Sequence, residues 1–240
     1  MRFLKAGDSS LIIELGNEIS PLINHNLKKI TDYLDSLKHP AIKDLLPTYR
    51  SIIVYYNPLL ISFEELKSII ENNCKLDDPS NTSIKKLIVE IPVLYGGEYG
   101  PDIENIASHN NLTIEEVINI HTSGEYLVYM LGFTPGFPYL GGMDKRIATP
   151  RLKTPRTKIP GGSVGIAGEQ TGVYPIESPG GWQLLGRTPL NFFEPTSENP
   201  FLINAGEYIK FKAISEDEYF KIYEKVKNKT YTVNKYWKED

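Results

Sequence analysis

GFTPGFPYLGG (Gly132–Gly142) and TPRLKTPRTKIPGGSVGIAGEQTGVYPIESPGGWQLLGRTP (Thr149–Pro189) decide how this chain reads. Between Gly132 and Pro189, 58 residues carry 12 of the 19 glycines and 8 of the 17 prolines. A helix or regular strand does not tolerate that load, because proline removes a backbone donor and glycine costs conformational entropy. The segment is predicted to be turns, bulges and short strands, with backbone brought close to something. Phe133, Phe137, Tyr139, Val164, Ile166, Tyr174, Trp182 and Leu184 supply a core, which argues against disorder. Seven basic residues (Lys145, Arg146, Arg151, Lys153, Arg156, Lys158, Arg187) stand against three acids (Asp144, Glu169, Glu177), a local +4 in a chain of net charge −4. A folded, basic, glycine-lined surface is a candidate anion or nucleotide site. The alternative is a β-barrel with many tight turns, whose ordinary signature is the same.

Outward from this stretch, 240 residues suggest one large or two small domains, and 40% hydrophobic residues can build a core. The mild acidity argues against a general nucleic-acid binder. The single cysteine, Cys74, cannot form an internal disulfide, which fits a reducing compartment. No run approaches the roughly 18 apolar residues of a membrane helix. MRFLKAGDSSLIIELG lacks the apolar core and cleavage site of a signal peptide, so a cytoplasmic protein without membrane contact is expected.

Upstream, Arg2–Lys5 and Ser10–Leu15 read as strands around Gly7-Asp8. Ser20-Pro21 opens a helix with a serine N-cap and proline at its first position. Leu22, Ile23, Leu27, Ile30, Leu34 and Leu37 give it one buried face. Ile42–Leu46 and Ser51–Tyr56 make a second strand pair interrupted at Pro47, and Ser62 with Glu65 forms a capping box for a second helix. Two rounds of strand, strand, helix suggest an α+β sandwich with helices on one face of an antiparallel sheet. Asp77–Ser83 reads as a polar linker. The expected domains are therefore 1–83, α+β and ferredoxin-like, and 84–240, mainly β with a C-terminal helix. In the second, strands are expected at 84–94 and 125–131, helices after Asp102 and after Thr113, the latter with a Glu116 capping box. Short strands follow at 190–193 and 201–203, then a strand at 208–213, a helix at 217–227 and a Lys- and Tyr-rich tail.

Familiar signatures are missing: there is no GxxxxGK[ST] and no GxGxxG, the Ser178-Pro179-Gly180 context is not the GxSxG of a nucleophile elbow, and no His/Cys cluster has metal-ligand spacing, so no metal site is expected in the chain. His121 lies just before the strand leading into GFTPGFPYL. It is either an acid or base near neutral pH or a helix-end histidine favoured by the helix dipole. Arg151, Arg156, Lys158 and Arg187 suit phosphate or carboxylate, or are solvated barrel loops. Gln170, Thr171 and Ser163 follow glycines where backbone nears a ligand, or make polar turns. Phe137, Tyr139 and Trp182, with Phe133, line a pocket or a core.

These residues carry a resemblance. GFTPGFPYLGG, PRTKIPGGSVGIAGEQTGVYP and SPGGWQLLGRTP closely resemble the PxpB family, the B subunits of 5-oxoprolinase. That family also holds the sporulation kinase inhibitor KipI and proteins labelled allophanate hydrolase subunit 1. One departure is Gly161, where the family commonly has alanine; His121 matches the family histidine before the GFxPGF block. The resemblance implies a cyclophilin-like β-barrel in the C-terminal domain and two partners, a KipA-like PxpC protein and a LamB/YcsF-like PxpA protein. It implies ATP-dependent opening of 5-oxo-L-proline to L-glutamate, with Mg²⁺ as the ATP counter-ion and ATP bound with or by a partner protein. Opening a stabilised lactam through a phosphorylated oxygen needs cations on phosphate, donors on the oxyanion and a proton carrier. On that basis His121, Arg156 and Gln170 are the expected catalytic residues. Arg151, Lys158, Ser163, Thr171, Arg187, Phe137, Tyr139 and Trp182 are the expected substrate- or phosphate-binding residues. The resemblance equally admits a KipI-like inhibitor of a histidine kinase. It also admits a carboxyltransferase component of the allophanate hydrolase or urea carboxylase type, which would need a biotin carrier that this chain does not contain.

Overall fold

The computed structural model describes residues 1–78 and 85–239. The chain divides into two compact units, Met1–Ile84 and Lys85–Glu239. The boundary expected at residues 83 and 84 lies outside the described residues.

In the first unit, Arg2–Lys5 (β1), Ser10–Glu14 (β2), Pro21–Ser36 (α1), Ile42–Pro47 (β3), Ser51–Tyr56 (β4) and Phe63–Asn73 (α2) follow in order. The sheet runs β1-β2-β4-β3, antiparallel throughout. Strand alternation sends Leu11 and Ile13 of β2 and Ile52 and Val54 of β4 into a core with Leu27, Ile30 and Leu34 of α1 and Leu66 and Ile70 of α2. The element order differs from the βαββαβ order of a ferredoxin-like fold. Ser62 and Glu65 form the expected capping box. Ser20 holds the cap position of α1 but its side chain makes no cap hydrogen bond, and proline at the next position supplies the turn geometry instead. Leu37 is exposed, because the helix has ended. The segment after α2 is tied back to α1: the Asp77 amide donates to Asn26 Oδ1 at 2.8 Å, and Asn26 Nδ2 donates to the Asp77 carbonyl at 3.2 Å.

The second unit begins with Lys86–Tyr95 (β5), Ile103–Asn110 (α3), Ile114–Ser123 (α4), Tyr126–Leu131 (β6) and Pro138–Gly141 (β7). The glycine-rich stretch then supplies Arg156–Ile159 (β8), Ser163–Ala167 (β9), Gln170–Val173 (β10), Ser178–Gly180 (β11) and Gln183–Arg187 (β12). Tyr208–Ala213 (β13), Glu216–Lys227 (α5) and Lys235–Lys238 (β14) complete it. The main sheet runs β10-β9-β12-β5-β13-β6-β7, and β7 packs against β10, so the sheet curls into a nearly closed barrel. β13 lies parallel to β5; the other described pairings are antiparallel. Val89, Ile91, Val93, Val128, Val164, Ile166 and Phe211 fill the interior, closed by Ile106 of α3, Val117 of α4 and Ile222 of α5.

Two sequence expectations change here. The strands expected at 190–193 and 201–203 reduce to one bridge between Phe193 and Phe201, in a segment broken by Pro195 and Pro200. The Lys- and Tyr-rich tail is not all irregular: β14 pairs with the start of β5.

Candidate active site

Outside the barrel wall, β8 and β11 form a two-stranded flap. Between flap and wall lies a small aromatic cluster: Phe137, Ile159, Ala167, Tyr174, Trp182 and Leu184, with Tyr139 against it. Phe137 is its hub, edge-on to Tyr139, Tyr174 and Trp182 at centroid distances of 5.5, 5.7 and 5.6 Å. Edge-to-face packing at this spacing fixes ring orientations beyond what burial alone does. Gly180 is required by this packing, since a Cβ there would lie 2.3 Å from Tyr174 Oη and 2.9 Å from Ile159 Cδ1.

The cluster opens into a pocket of about 190 Å³ lined by Phe133, Phe137, Tyr139, Arg151, Gln170, Tyr174 and Trp182, together with Pro179, Gly180 and Gly181. Six of the residues singled out from the sequence therefore meet: Phe133, Phe137, Tyr139, Trp182, Arg151 and Gln170. Tyr174, read from the sequence only as a core residue, joins them. Burial pushes its phenol up in pKa, with Arg151 and Arg156 pulling the other way. The site is apolar and aromatic on its walls, with one guanidinium and one carboxamide converging on it. A volume below the roughly 300–1,000 Å³ of drug-sized sites suits a small ligand.

The other expected site residues lie elsewhere, each for a visible reason. His121 is fully buried in the barrel, stacked on Phe211 at 4.5 Å. Its Nδ1 lies 2.7 Å from Tyr95 Oη and its Nε2 2.8 Å from Thr171 Oγ1. Thr171 Oγ1 lies 3.1 Å from the Gly165 carbonyl, to which it donates. The chain of bonds has one consistent direction. Thr171 gives its proton to Gly165 and so accepts from Nε2–H, which leaves Nδ1 to accept from Tyr95. Burial lowers the His121 pKa from 6.5 to about 3. A neutral, fully hydrogen-bonded ring out of solvent does not supply the proton transfer expected of His121, and Thr171 is its partner rather than a ligand contact. The period of β10 explains the split: Thr171 faces inward while its neighbour Gln170 faces the pocket.

Arg156 is bound to Asp102 (Nη2 to Oδ1, 2.7 Å), and the second Asp102 oxygen accepts from the Leu184 amide at 2.7 Å. Asp102 stands at the cap position of α3 but makes no side-chain cap bond; its carboxylate joins β8 to β12 instead. Arg156 therefore braces the flap and does not present its charge to the pocket. The three acids of the stretch each hold one cation, so its +4 rests on Arg151, Lys153, Arg156 and Arg187, of which Arg156 is met by Asp102. Lys145 pairs with Glu169 (3.2 Å), Arg146 with Asp144 (2.7 Å) and Lys158 with Glu177 (3.2 Å). Arg187 lies over the Tyr99 ring at 5.3 Å, and Ser163 is fully buried opposite it on β9 and β12. Ser163 Oγ and Arg187 Nε have no hydrogen-bond partner among the described residues. Arg151 has no carboxylate partner among the described residues and is exposed at the pocket rim.

No group of three or more His, Cys, Asp or Glu side chains among the described residues could hold a metal ion, and no described helix is long and apolar enough to cross a membrane.

With this geometry in hand, comparison with known proteins is specific. The family of the carboxyltransferase domain, subdomain C and D, matches residues 1–203. The chain is 48% identical over 223 residues to the B subunit of 5-oxoprolinase from Bacillus subtilis, covering 89% of this chain and 92% of that protein. It is 37% identical over 209 residues to the B subunit of 5-oxoprolinase from Escherichia coli O157:H7, covering 85% and 92%. Among solved structures, the urea carboxylase of Kluyveromyces lactis superposes with a TM-score of 0.76 over 99% of this chain and 24% of that one; at 21% identity the likeness is one of fold. The chain belongs to the carboxyltransferase subdomain C and D family, and within it to the B subunits of 5-oxoprolinase.

Proposed function

We infer that this chain is the PxpB component of a 5-oxoprolinase that opens 5-oxo-L-proline to L-glutamate with hydrolysis of ATP, working with a KipA-like PxpC protein and a LamB/YcsF-like PxpA protein. The observation that carries the reading is 48% identity across 92% of the Bacillus subtilis B subunit. The pocket beneath the flap supports it chemically. 5-Oxoproline is a compact five-membered lactam bearing one carboxylate. A guanidinium fork matches that carboxylate, a carboxamide matches the lactam N–H or C=O, and aromatic walls cover the ring methylenes. We place the carboxylate on Arg151, the lactam on Gln170, and the ring among Phe137, Tyr139, Tyr174 and Trp182. His121, Thr171 and Arg156 then hold the site in shape without touching substrate, and Ser163 and Lys158 are assigned no substrate contact. We take the C-terminal unit to be the cyclophilin-like barrel, with this pocket on its outer wall.

A pocket of about 190 Å³ does not fit a nucleotide. We therefore place ATP, with Mg²⁺ as its counter-ion, on a surface completed by the partner proteins. Arg187 is this chain's cation nearest that role, although its Nε is presently buried.

The test is reconstitution. Glutamate release from 5-oxoproline by the three assembled proteins should require ATP and should vanish when this chain is omitted. A soluble, assembled complex that releases no glutamate would move the assignment to carboxyl transfer or kinase inhibition. Within the active complex, Arg151→Ala is expected to raise KM for 5-oxoproline by roughly 10–100-fold, the loss of one charge-assisted contact. An unchanged KM removes Arg151 from the site.

A further inference from the structure

We propose that Phe133 is a substrate-contact residue: its ring is held by a strained turn over the mouth of the pocket, where it closes on the face of the lactam ring. The inference rests on the reading of the pocket as the 5-oxoproline site, and it concerns a residue that neither the fold nor the aromatic core requires.

Three observations carry it. First, the backbone. Phe133 has φ +64°, a left-handed value that a bulky side chain rarely adopts. The Thr134 amide donates to the Gly132 carbonyl at 2.8 Å, closing a three-residue turn about Phe133. With a positive φ at its centre this is the rarer, strained form of the γ-turn. Secondly, the strain is imposed from both sides. The Phe137 amide donates to the Thr134 carbonyl at 3.0 Å across Pro135 and Gly136, with Gly136 at φ +80°. Proline then glycine at these positions is the sequence of a type II turn. The Gly132 amide donates to the Phe137 carbonyl at 3.1 Å, closing the loop on β6 and β7. A Cβ at Gly136 would sit 3.1 Å from the Phe192 carbonyl oxygen, so the loop is seated on the chain beneath it. Phe133 cannot relax to an ordinary φ without undoing both turns.

Thirdly, nothing in folding rewards the ring. Phe133 is 72% exposed, and its one aromatic contact among the described residues is edge-on to Phe137 at 5.8 Å. A glycine at 133 would meet the backbone requirement without strain. A strained backbone that presents an exposed aromatic ring at a pocket rim is a binding arrangement, in which the ring is buried only when ligand arrives. Opposite the walls of Tyr139, Tyr174 and Trp182, a ring at this position favours a compact cyclic amide and leaves no room for the swinging chain of an open analogue such as glutamine.

The experiment compares Phe133→Gly, Phe133→Leu and Arg151→Ala in the assembled three-protein enzyme. Phe133→Gly is expected to raise KM for 5-oxoproline roughly tenfold, proportionally more than it lowers kcat. It is also expected to raise the melting temperature of the chain by about 2–4 °C, because the left-handed turn is relieved. Phe133→Leu keeps the strained φ and loses the aromatic face, so KM rises with little change in melting temperature. That variant decides the matter if the glycine variant folds poorly. An unchanged KM in both Phe133 variants, with a raised KM in Arg151→Ala, overturns the role of Phe133 and leaves the pocket standing. An unchanged KM in all three overturns both readings.

Discussion

At the scale of single residues, the most informative side chain is His121. Sequence placed it correctly at the end of α4, in front of the strand that feeds the glycine-rich stretch, and position alone made it a candidate proton carrier. What position does not show is which way the last turn of the helix faces. Here it faces the barrel, and Tyr95, Thr171, Phe211 and Tyr126 close around the ring; the Tyr126 hydroxyl donates to the His121 carbonyl at 2.7 Å. Thr171→Val removes the acceptor of Nε2–H and is expected to cost about 1–3 kcal/mol in denaturant unfolding, the desolvation of one unmatched buried donor. Long-range ¹⁵N–¹H spectra of the ring should show the Nε2–H tautomer and no titration between pH 8 and about pH 4. A ring that titrates near its ordinary pKa of 6.5 would restore His121 as a proton carrier.

At the scale of elements, the flap is what the pocket depends on. β8 and β11 share only a short register with a shift between Ser178 and Gly180, too little pairing to stand alone. Two devices hold them down: the Phe137-centred ring cluster, and Asp102, which clamps Arg156 of β8 and the Leu184 amide of β12. Both Asp102 and Arg156 are partly buried, at 12% and 30% side-chain exposure. Removing one leaves the other without its counter-charge. Asp102→Ala and Arg156→Ala are each expected to destabilise by about 2–4 kcal/mol, with the double variant costing clearly less than the sum. Additive losses would show that the clamp is not a coupled pair. Gly180→Ala drives a methyl group into Tyr174 and is expected to lower both stability, by about 1–3 kcal/mol, and affinity for 5-oxoproline. The capping boxes at Ser62 and Thr113 were legible because their signal is local, three residues wide. The Asp102 carboxylate looked like the same signal, yet it serves partners 54 and 82 residues away, which no local pattern announces. Which cations of the basic cluster are paired was hidden for the same reason: charge can be counted from sequence, but the pairing of Lys145 with Glu169 needs the loops in place.

At the scale of the whole molecule, the strand-rich, turn-rich character of the second unit followed from where glycine and proline fall, and the motif blocks carried the family. The barrel closure, the parallel placement of β13 on β5 and the return of β14 did not, because they join segments far apart in the chain. Acid stability is a property at this scale. The unfolded chain protonates His121 near pH 6.5, while the folded one resists to about pH 3. Protons are therefore bound preferentially by the unfolded state, so this contribution is intact above pH 6.5 and is lost as pH falls toward 3. It amounts to about 4–5 kcal/mol over that range. Unfolding free energy measured between pH 7 and 4 should fall more steeply for the natural chain than for His121→Phe. Equal slopes would mean that other groups govern acid unfolding.

The placement of β5 has a consequence for biosynthesis. It is the first strand of its unit to leave the ribosome, and all its partners, β12, β13 and β14, are made late, β13 and β14 only after the glycine-rich stretch is complete. Until then Val89, Ile91 and Val93 form an unpaired, sticky ribbon, the kind of nascent segment that non-local sheets expose longest. Chains that stop before Tyr208 should be recovered chiefly as chaperone-bound or insoluble material, and slower translation through Gly132–Pro189 should worsen the yield of the full chain.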